Sequence, residues 1–219
     1  ANKTEHVGRL TGNCEAGTER AAEMRRSLEL MRQALADEER PAGLNVFYGY
    51  TSGANTFIGD VMAAAGLQNG AASAGVSGFQ PINDETVVEL NPEWIVTPDG
   101  SSVPETPAYN STTAVQEGNV VRVNTNYLQQ PAPRSVLAAE TILQAVHPDA
   151  YEEYRQLDAT NGSTETAAPT TEGSETASQT TTAATDTASP TSSTGTPGFG
   201  VVAAIAALAA AAVLVSKRQ

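Results

Sequence analysis

The chain has 219 residues, 25 acidic against 12 basic side chains, a formal net charge of −13, and only two lysines, Lys3 and Lys217. The acidic excess is spread out, densest at Asp37-Glu38-Glu39 and Glu152-Glu153. It argues against nucleic acid as a partner, which needs clustered Lys and Arg, and fits a surface that stays soluble in high salt. Cys14 stands alone, which excludes a disulfide framework and a thiolate-rich metal site and leaves a small buried or incidental residue.

In chain order, residues 2–10 read as the end of a helix, with Val7 and Leu10 at i, i+3 and a break at Thr11-Gly12-Asn13. Residues 18–39 predict a long helix: Met24, Leu28, Met31 and Leu35 form an apolar stripe, while Arg25, Arg26, Glu29 and Arg32 face outward. A stripe of this kind is core. Pro41 ends the helix, and the apolar run 44–48 predicts a buried strand closed by Gly49. A polar, Gly-containing turn follows, with Asn55 or Thr56 able to cap a helix carrying Phe57, Ile58, Val61, Met62 and Ala65 and closed by Gly66. Such a turn is either an ordinary strand-to-helix connection or a place where backbone N–H groups meet a ligand above the sheet.

Residues 68–78 read as a loop of small residues, and Phe79 as part of a loop. Asn83 or Asp84 caps a short helix over 85–90, and Asn91-Pro92 leads into a strand over 94–97. A Pro-rich loop, a short helix over 112–117, a third strand over 120–123 and a loop over 124–133 follow. A last amphipathic helix covers 134–146, and Tyr151 and Tyr154 pack a closing turn. Strands alternating with helices predict a three-layer α/β domain with a mostly parallel sheet, preceded by a helix long enough to act as a strut.

From residue 160 to 196, 20 of 37 residues are Ser or Thr, the composition of a disordered, O-glycosylated stalk. Residues 199–215 are almost unbroken apolar sequence ahead of Lys217-Arg218. That length is near the lower limit for a membrane-spanning helix, with the basic pair cytoplasmic and the domain outside. There is no initiator Met or signal peptide at the start, so an exported chain of this kind is expected to be processed or truncated there. Asn2, Asn110 and Asn161 each begin an Asn-X-Ser/Thr glycosylation acceptor.

The two histidines, His6 and His147, lie in different elements, so no zinc- or manganese-type metal site is expected; His147 serves as a C-terminal cation or cap. No nucleophile–base arrangement stands out, and no cofactor is expected. The chain does not read as an enzyme. Arg134 opposes the dipole of the helix it begins, so it either binds an anionic ligand group or pairs with a carboxylate such as Asp99 or Asp60.

Gly8-Arg9-Leu10-Thr11-Gly12-Asn13, the strut helix, Thr56-Phe57-Ile58-Gly59-Asp60, Ala65-Gly66, Glu85 placed before Asn91-Pro92-Glu93-Trp94-Ile95-Val96, and Pro131-Ala132-Pro133-Arg134 together resemble the iron-chelate/vitamin B12-type substrate-binding proteins of ABC importers. The resemblance implies two α/β lobes joined by one long helix, with ligand held between them. On that pattern residues 1–12 are the end of a missing first lobe, 13–40 the connecting helix, 41–159 the second lobe, 160–196 the stalk and 197–219 a sorting signal.

The resemblance implies further that Glu85 docks onto an Arg of the ABC permease and that Phe79 packs against a flat corrinoid or ferric-chelate ligand, with Tyr50, Asn55, Tyr127 and Arg134 lining the same cleft. Pro197-Gly198-Phe199 with its apolar segment resembles the signal read by archaeosortases, which implies cleavage and a lipid anchor on the extracellular face of the membrane; a retained tail anchor is the alternative. The competing function is a surface-anchored interaction or adhesion domain with no transport role.

Overall fold

Two helices begin the chain, α1 (Asn2–Leu10) and α2 (Cys14–Ala34), in a computed structural model that describes residues 1–164, with side chains described to residue 160. They meet through glycine: a Cβ on Gly8 would lie 2.9 Å from Gly17 Cα and 2.8 Å from the Asn13 carbonyl oxygen. The long helix starts and ends earlier than the expected 18–39. Its C-terminal limit has an electrostatic reason, since carboxylates at Asp37, Glu38 and Glu39 would oppose the negative end of the helix dipole. The apolar stripe holds: Met31 and Leu35 are buried, and Met24 and Leu28 pack partly buried on the same cluster.

A four-stranded, wholly parallel sheet follows in the order β3-β1-β5-β6. Its strands are β1 (Ala42–Asn45), β3 (Gln68–Asn69), β5 (Trp94–Pro98) and β6 (Val120–Val123). Side chains alternate across it. Val96, Val121 and Val123 join α2, α3 (Phe57–Ala64), α9 (Ser135–Val146) and α10 (Pro148–Thr164) on one face. On the other face Leu44, Val46 and Ile95 meet α4 (Gly70–Ser73), α5 (Asp84–Leu90), α6 (Pro107–Asn110) and α7 (Thr113–Glu117). The three-layer α/β architecture is therefore as expected. Gly43 in β1 leaves room for α3, because a Cβ there would sit 2.9 Å from Leu67 Cδ1 and 3.0 Å from Met62 Cε.

Several boundaries differ from expectation. The strand expected over 44–48 stops at Asn45, and the chain reverses at once into β2 (Tyr50–Ser52), which pairs antiparallel with β4 (Phe79–Pro81). Phe79 thus lies in a strand. The expected loops 68–78 and 124–133 contain β3, α4 and the one-turn helix α8 (Thr125–Leu128). The closing turn at Tyr151 and Tyr154 is instead the body of α10, which lies along α2: Arg26 Nη2 reaches Asp158 Oδ1 at 2.6 Å. Arg26 is accordingly drawn in rather than wholly outward. Cys14 is exposed at the start of α2. The expected sorting signal at Pro197, Gly198 and Phe199, the stalk beyond residue 164 and the Asn161 side chain lie outside the described residues. Among the described residues no helix is long and apolar enough to cross a membrane.

His147 is the C-cap of α9, as expected, and is buried. Its ring lies between Gly66, whose carbonyl oxygen is 3.3 Å from Nε2, and Glu38, whose Oε2 is 3.5 Å from Nδ1. Gly66 has φ +89°, and a Cβ there would fall 2.7 Å from the imidazole and 2.8 Å from Leu35 Cδ2. Both the backbone conformation and the space require glycine. Gly66→Ala is expected to cost about 2–4 kcal/mol, from the disfavoured φ and overpacking together, seen as a lower urea midpoint with an unchanged m-value.

Candidate functional site

The site begins with a chain reversal. Phe47 and Tyr50 exchange backbone hydrogen bonds, Phe47 N to Tyr50 O at 3.1 Å and Tyr50 N to Phe47 O at 2.9 Å, across a two-residue turn. Tyr48 (φ 48°) and Gly49 (φ 80°) both have positive φ, the pairing that marks a type I′ hairpin turn. The returning strand is tied to β1 by side chains: Ser52 Oγ donates to Asn45 Oδ1 at 2.7 Å, and Asn45 Nδ2 donates to the Val96 carbonyl at 3.0 Å, all buried. Gly53 then passes so close to Val76 that a Cβ would lie 2.1 Å from its carbonyl oxygen. Thr56 completes the connection as the N-cap of α3: its Oγ1 accepts from Gly59 N at 3.1 Å and donates to Gly53 O at 2.7 Å.

These contacts fix an apolar groove of about 520 Å³ beyond the C-terminal end of β1. Phe47, Tyr50, Phe57, Ile58, Phe79, Gln129 and Pro131 line it, and none of them is charged. Phe47 stands edge-on to Phe79 with ring centroids 5.9 Å apart, and tilted to Tyr50 at 6.2 Å. Phe79 is 55% exposed, a large apolar surface left in water although a core lies near. Aromatic rings held in fixed mutual orientation and open on one side suit a flat, extended apolar partner. Such grooves in parallel α/β sheets lie beyond the strands' carboxyl ends.

Of the residues expected to bind ligand, Tyr50 and Phe79 line this groove. Asn55 is exposed with φ 59° and donates to Ser77 Oγ at 3.3 Å, outside the lining. Tyr127 is half-buried against the core through α8. Arg134, the N-cap residue of α9, is exposed and three residues beyond Pro131. It forms no ion pair with Asp99 or Asp60. Asp99 is committed elsewhere: it accepts from Thr125 Oγ1 and from Thr125 N, the latter at 2.7 Å, and these bonds hold its carboxyl below the usual carboxylate range. The alternative of structural pairing for Arg134 with Asp99 or Asp60 is thus not formed among the described residues.

Glu85 lies exposed in the first turn of α5, whose N-cap is Asn83, accepting from Thr86 N at 2.8 Å. No basic side chain of the described residues pairs with it. Beside it at i+3 stands Val88, also exposed. The helix rests on buried Tyr109; burial, and then the charge of Asp84, push that phenol up to about 12. Asn2 accepts from Arg25 Nη2 at 2.8 Å, and Asn110 is exposed at the end of α6. Among the described residues no cluster of three His, Cys, Asp or Glu side chains could hold a metal.

Phe47, Phe57, Ile58, Gln129 and Pro131 were not foreseen as groove residues. Phe47 was hidden inside an apolar run read as one buried strand, and Phe57 inside a helix stripe. The signal for Phe47 was the pair Tyr48-Gly49, a hairpin turn whose first position is usually Asn.

Comparison with known proteins follows the same lines. Residues 1–127 match the family described as periplasmic binding protein, and residues 196–218 match the PGF-CTERM motif. A cobalamin-binding protein of Halobacterium salinarum is 38% identical over 159 residues, covering 66% of this chain and 43% of that protein. An ABC transporter substrate-binding lipoprotein of Bacillus subtilis is 29% identical over 107 residues, 48% of this chain and 33% of that protein. The chain thus spans less than half the length of these curated relatives. Among solved structures, the haem-binding protein RhuT of Roseiflexus sp. RS-1 matches with TM-score 0.59 at 22% identity, over 70% of this chain and 62% of that one. The molybdate-binding protein MolA of Haemophilus influenzae matches with TM-score 0.62 at 20% identity, over 72% and 51%. At these identities the structural matches carry the fold alone.

Proposed function

Because the chain belongs to the periplasmic binding protein family, we propose that it captures a corrinoid or ferric-chelate ligand outside the cell and delivers it to an ABC importer. It is anchored at the cell surface through its C-terminus, where the PGF-CTERM motif lies. The observation that carries the ligand reading is the groove of Phe47, Tyr50 and Phe79, uncharged and open to solvent. A corrin ring or the organic shell of a chelate offers the flat apolar face that these rings can cover. Gln129 supplies hydrogen bonding at the margin, and Arg134, exposed and without an ion-pair partner among the described residues, can meet one anionic group such as a phosphate. Binding proteins of this kind hold ligand between two lobes, and here residues 41–159 are the second of them. The Halobacterium relative named as cobalamin-binding supports the corrinoid side of the pair, and the rival reading as an adhesion domain has no comparable support.

Isothermal titration with cyanocobalamin and with a ferric hydroxamate is the direct test. Saturable binding to one of them is expected, and Phe79→Ala should weaken it about tenfold by removing one ring contact and its apolar area. Failure of both compounds to bind would overturn the ligand class.

Glu85 is the residue assigned to permease docking, on its exposure, its lack of an ion-pair partner among the described residues and its place on a helix outside the groove lining. Glu85→Arg should abolish uptake in cells while leaving ligand affinity unchanged. Normal uptake by that variant would remove the docking role. At the C-terminus, an archaeosortase-type enzyme is proposed to cut near Pro197-Gly198-Phe199 and to leave a lipid. The intact mass of the native protein should then lack the apolar segment and carry a lipid increment; an unmodified chain ending at Gln219 would show a retained tail instead.

A further inference from the structure

The turn that builds the groove carries a residue that the fold alone does not account for. At the first central position of a type I′ turn, φ is positive, and Asn, Asp or Gly adopts it with little strain. This chain places Tyr48 there, at φ 48°, where a bulky side chain is a conformational outlier. Nothing in the packing compensates. Tyr48 is 75% exposed, the most exposed of the large hydrophobic side chains in the described residues. Its ring pairs with no other ring, and its hydroxyl has no hydrogen-bond partner there. The tip around it is open: a Cβ built on neighbouring Gly49 would meet nothing within 4 Å.

Its position supplies the reason. Phe47 on one side and Tyr50 on the other both line the groove, and their two mutual backbone bonds hold the turn rigid. We propose that Tyr48 is a ligand-contacting finger, an aromatic side chain held over the groove's mouth that folds down onto the exposed face of the bound ligand. This inference rests on the reading of the groove as a ligand wall. Rotation about the side-chain bonds suffices, so the backbone cost of the strained turn is met before ligand arrives. Strain retained beside a binding surface, where a relaxed residue would serve the turn better, is a mark of function. The finger adds contact area beyond that of the four groove rings, and its hydroxyl can bond an amide or carboxylate at the ligand's edge.

The test uses Tyr48→Asn in the full chain, with thermal unfolding and cyanocobalamin or ferric hydroxamate titration as paired readouts. Asn relaxes the turn, so the melting temperature should rise by about 2–4 °C. Affinity should nonetheless fall about 3- to 10-fold, mostly through faster dissociation. Tyr48→Phe should keep the wild-type melting temperature and most of the affinity. A rise in stability with unchanged affinity would overturn the finger, and so would a fall in stability, which would mean that Tyr48 packs structurally. Wild-type protein that binds neither compound would remove the ligand-wall reading itself, and the finger with it. Wild-type binding that Tyr48→Asn leaves intact would remove the finger alone.

Discussion

The buried bond between Ser52 Oγ and Asn45 Oδ1 is the constraint on which the aromatic groove depends. Asn45 is fully buried in β1, and its amide also donates to Val96 O in β5. One side chain therefore joins the central strand, its neighbour and the strand that returns from the turn. A buried amide without partners would cost a few kcal/mol, so the chain is held in the one path that satisfies it. That path forces the reversal at 47–50, brings β2 against β4, and sets Phe79 beside Phe47. The aromatic groove is thus a consequence of a polar contact beneath it.

The same division of labour runs through the rest of the described residues. Apolar packing between α2, α3, α9 and α10 fixes one face of the sheet, with Met31, Met62, Ile142 and Leu143 fully buried. Polar bonds then join helices across that face: Tyr154 donates to Glu140 at 2.7 Å, and Arg26 reaches Asp158. A part-exposed ion pair such as Arg26–Asp158 contributes little stability individually; the effect of such bonds is to fix register. α2 is packed into this layer rather than standing free. Gly8 and Gly17 make the α1–α2 joint a close one.

How much of this was legible in the sequence follows from element length. α3, α5, β5, β6 and α9 were readable because each repeats its period long enough to be seen, and because Thr56 and Asn83 are caps with a physical role. The four-residue helices α4, α6 and α8 are too short to show a period and form only against the sheet. β2 and β4 span three residues each, with Thr51, Ser52 and Gln80 among them, so no apolar alternation announces a strand. α10 did carry a signal, Ala150, Tyr154 and Leu157 at helical spacing, but Pro148 reads as a stop unless it is recognised as the first residue of a new helix. For the site, Tyr50 and Phe79 were reached through the family resemblance, and both line the groove. Phe47 was not, because a buried strand and a hairpin arm look alike until the turn is found. Arg134 was assigned either a ligand or a carboxylate, and only coordinates could exclude the latter.

Charge finally bears on which ligand such a groove prefers. The chain carries a net charge of −13, so at low ionic strength its field repels anions and slows their approach. In concentrated salt that long-range effect is screened to within a few ångströms, and selection falls to the groove itself. No charged side chain lines it. A polyanionic chelate would have to surrender water from each carboxylate or catecholate oxygen and receive no cation from the groove lining in return, a loss that apolar contact does not offset. A ligand with a broad neutral face and one anionic group avoids that penalty: its face lies on Phe47 and Phe79, and its single charge has Arg134 available a few residues past the groove's edge. On physical grounds a corrinoid meets both conditions more fully than a highly charged ferric siderophore, and a neutral hydroxamate chelate meets the first of them.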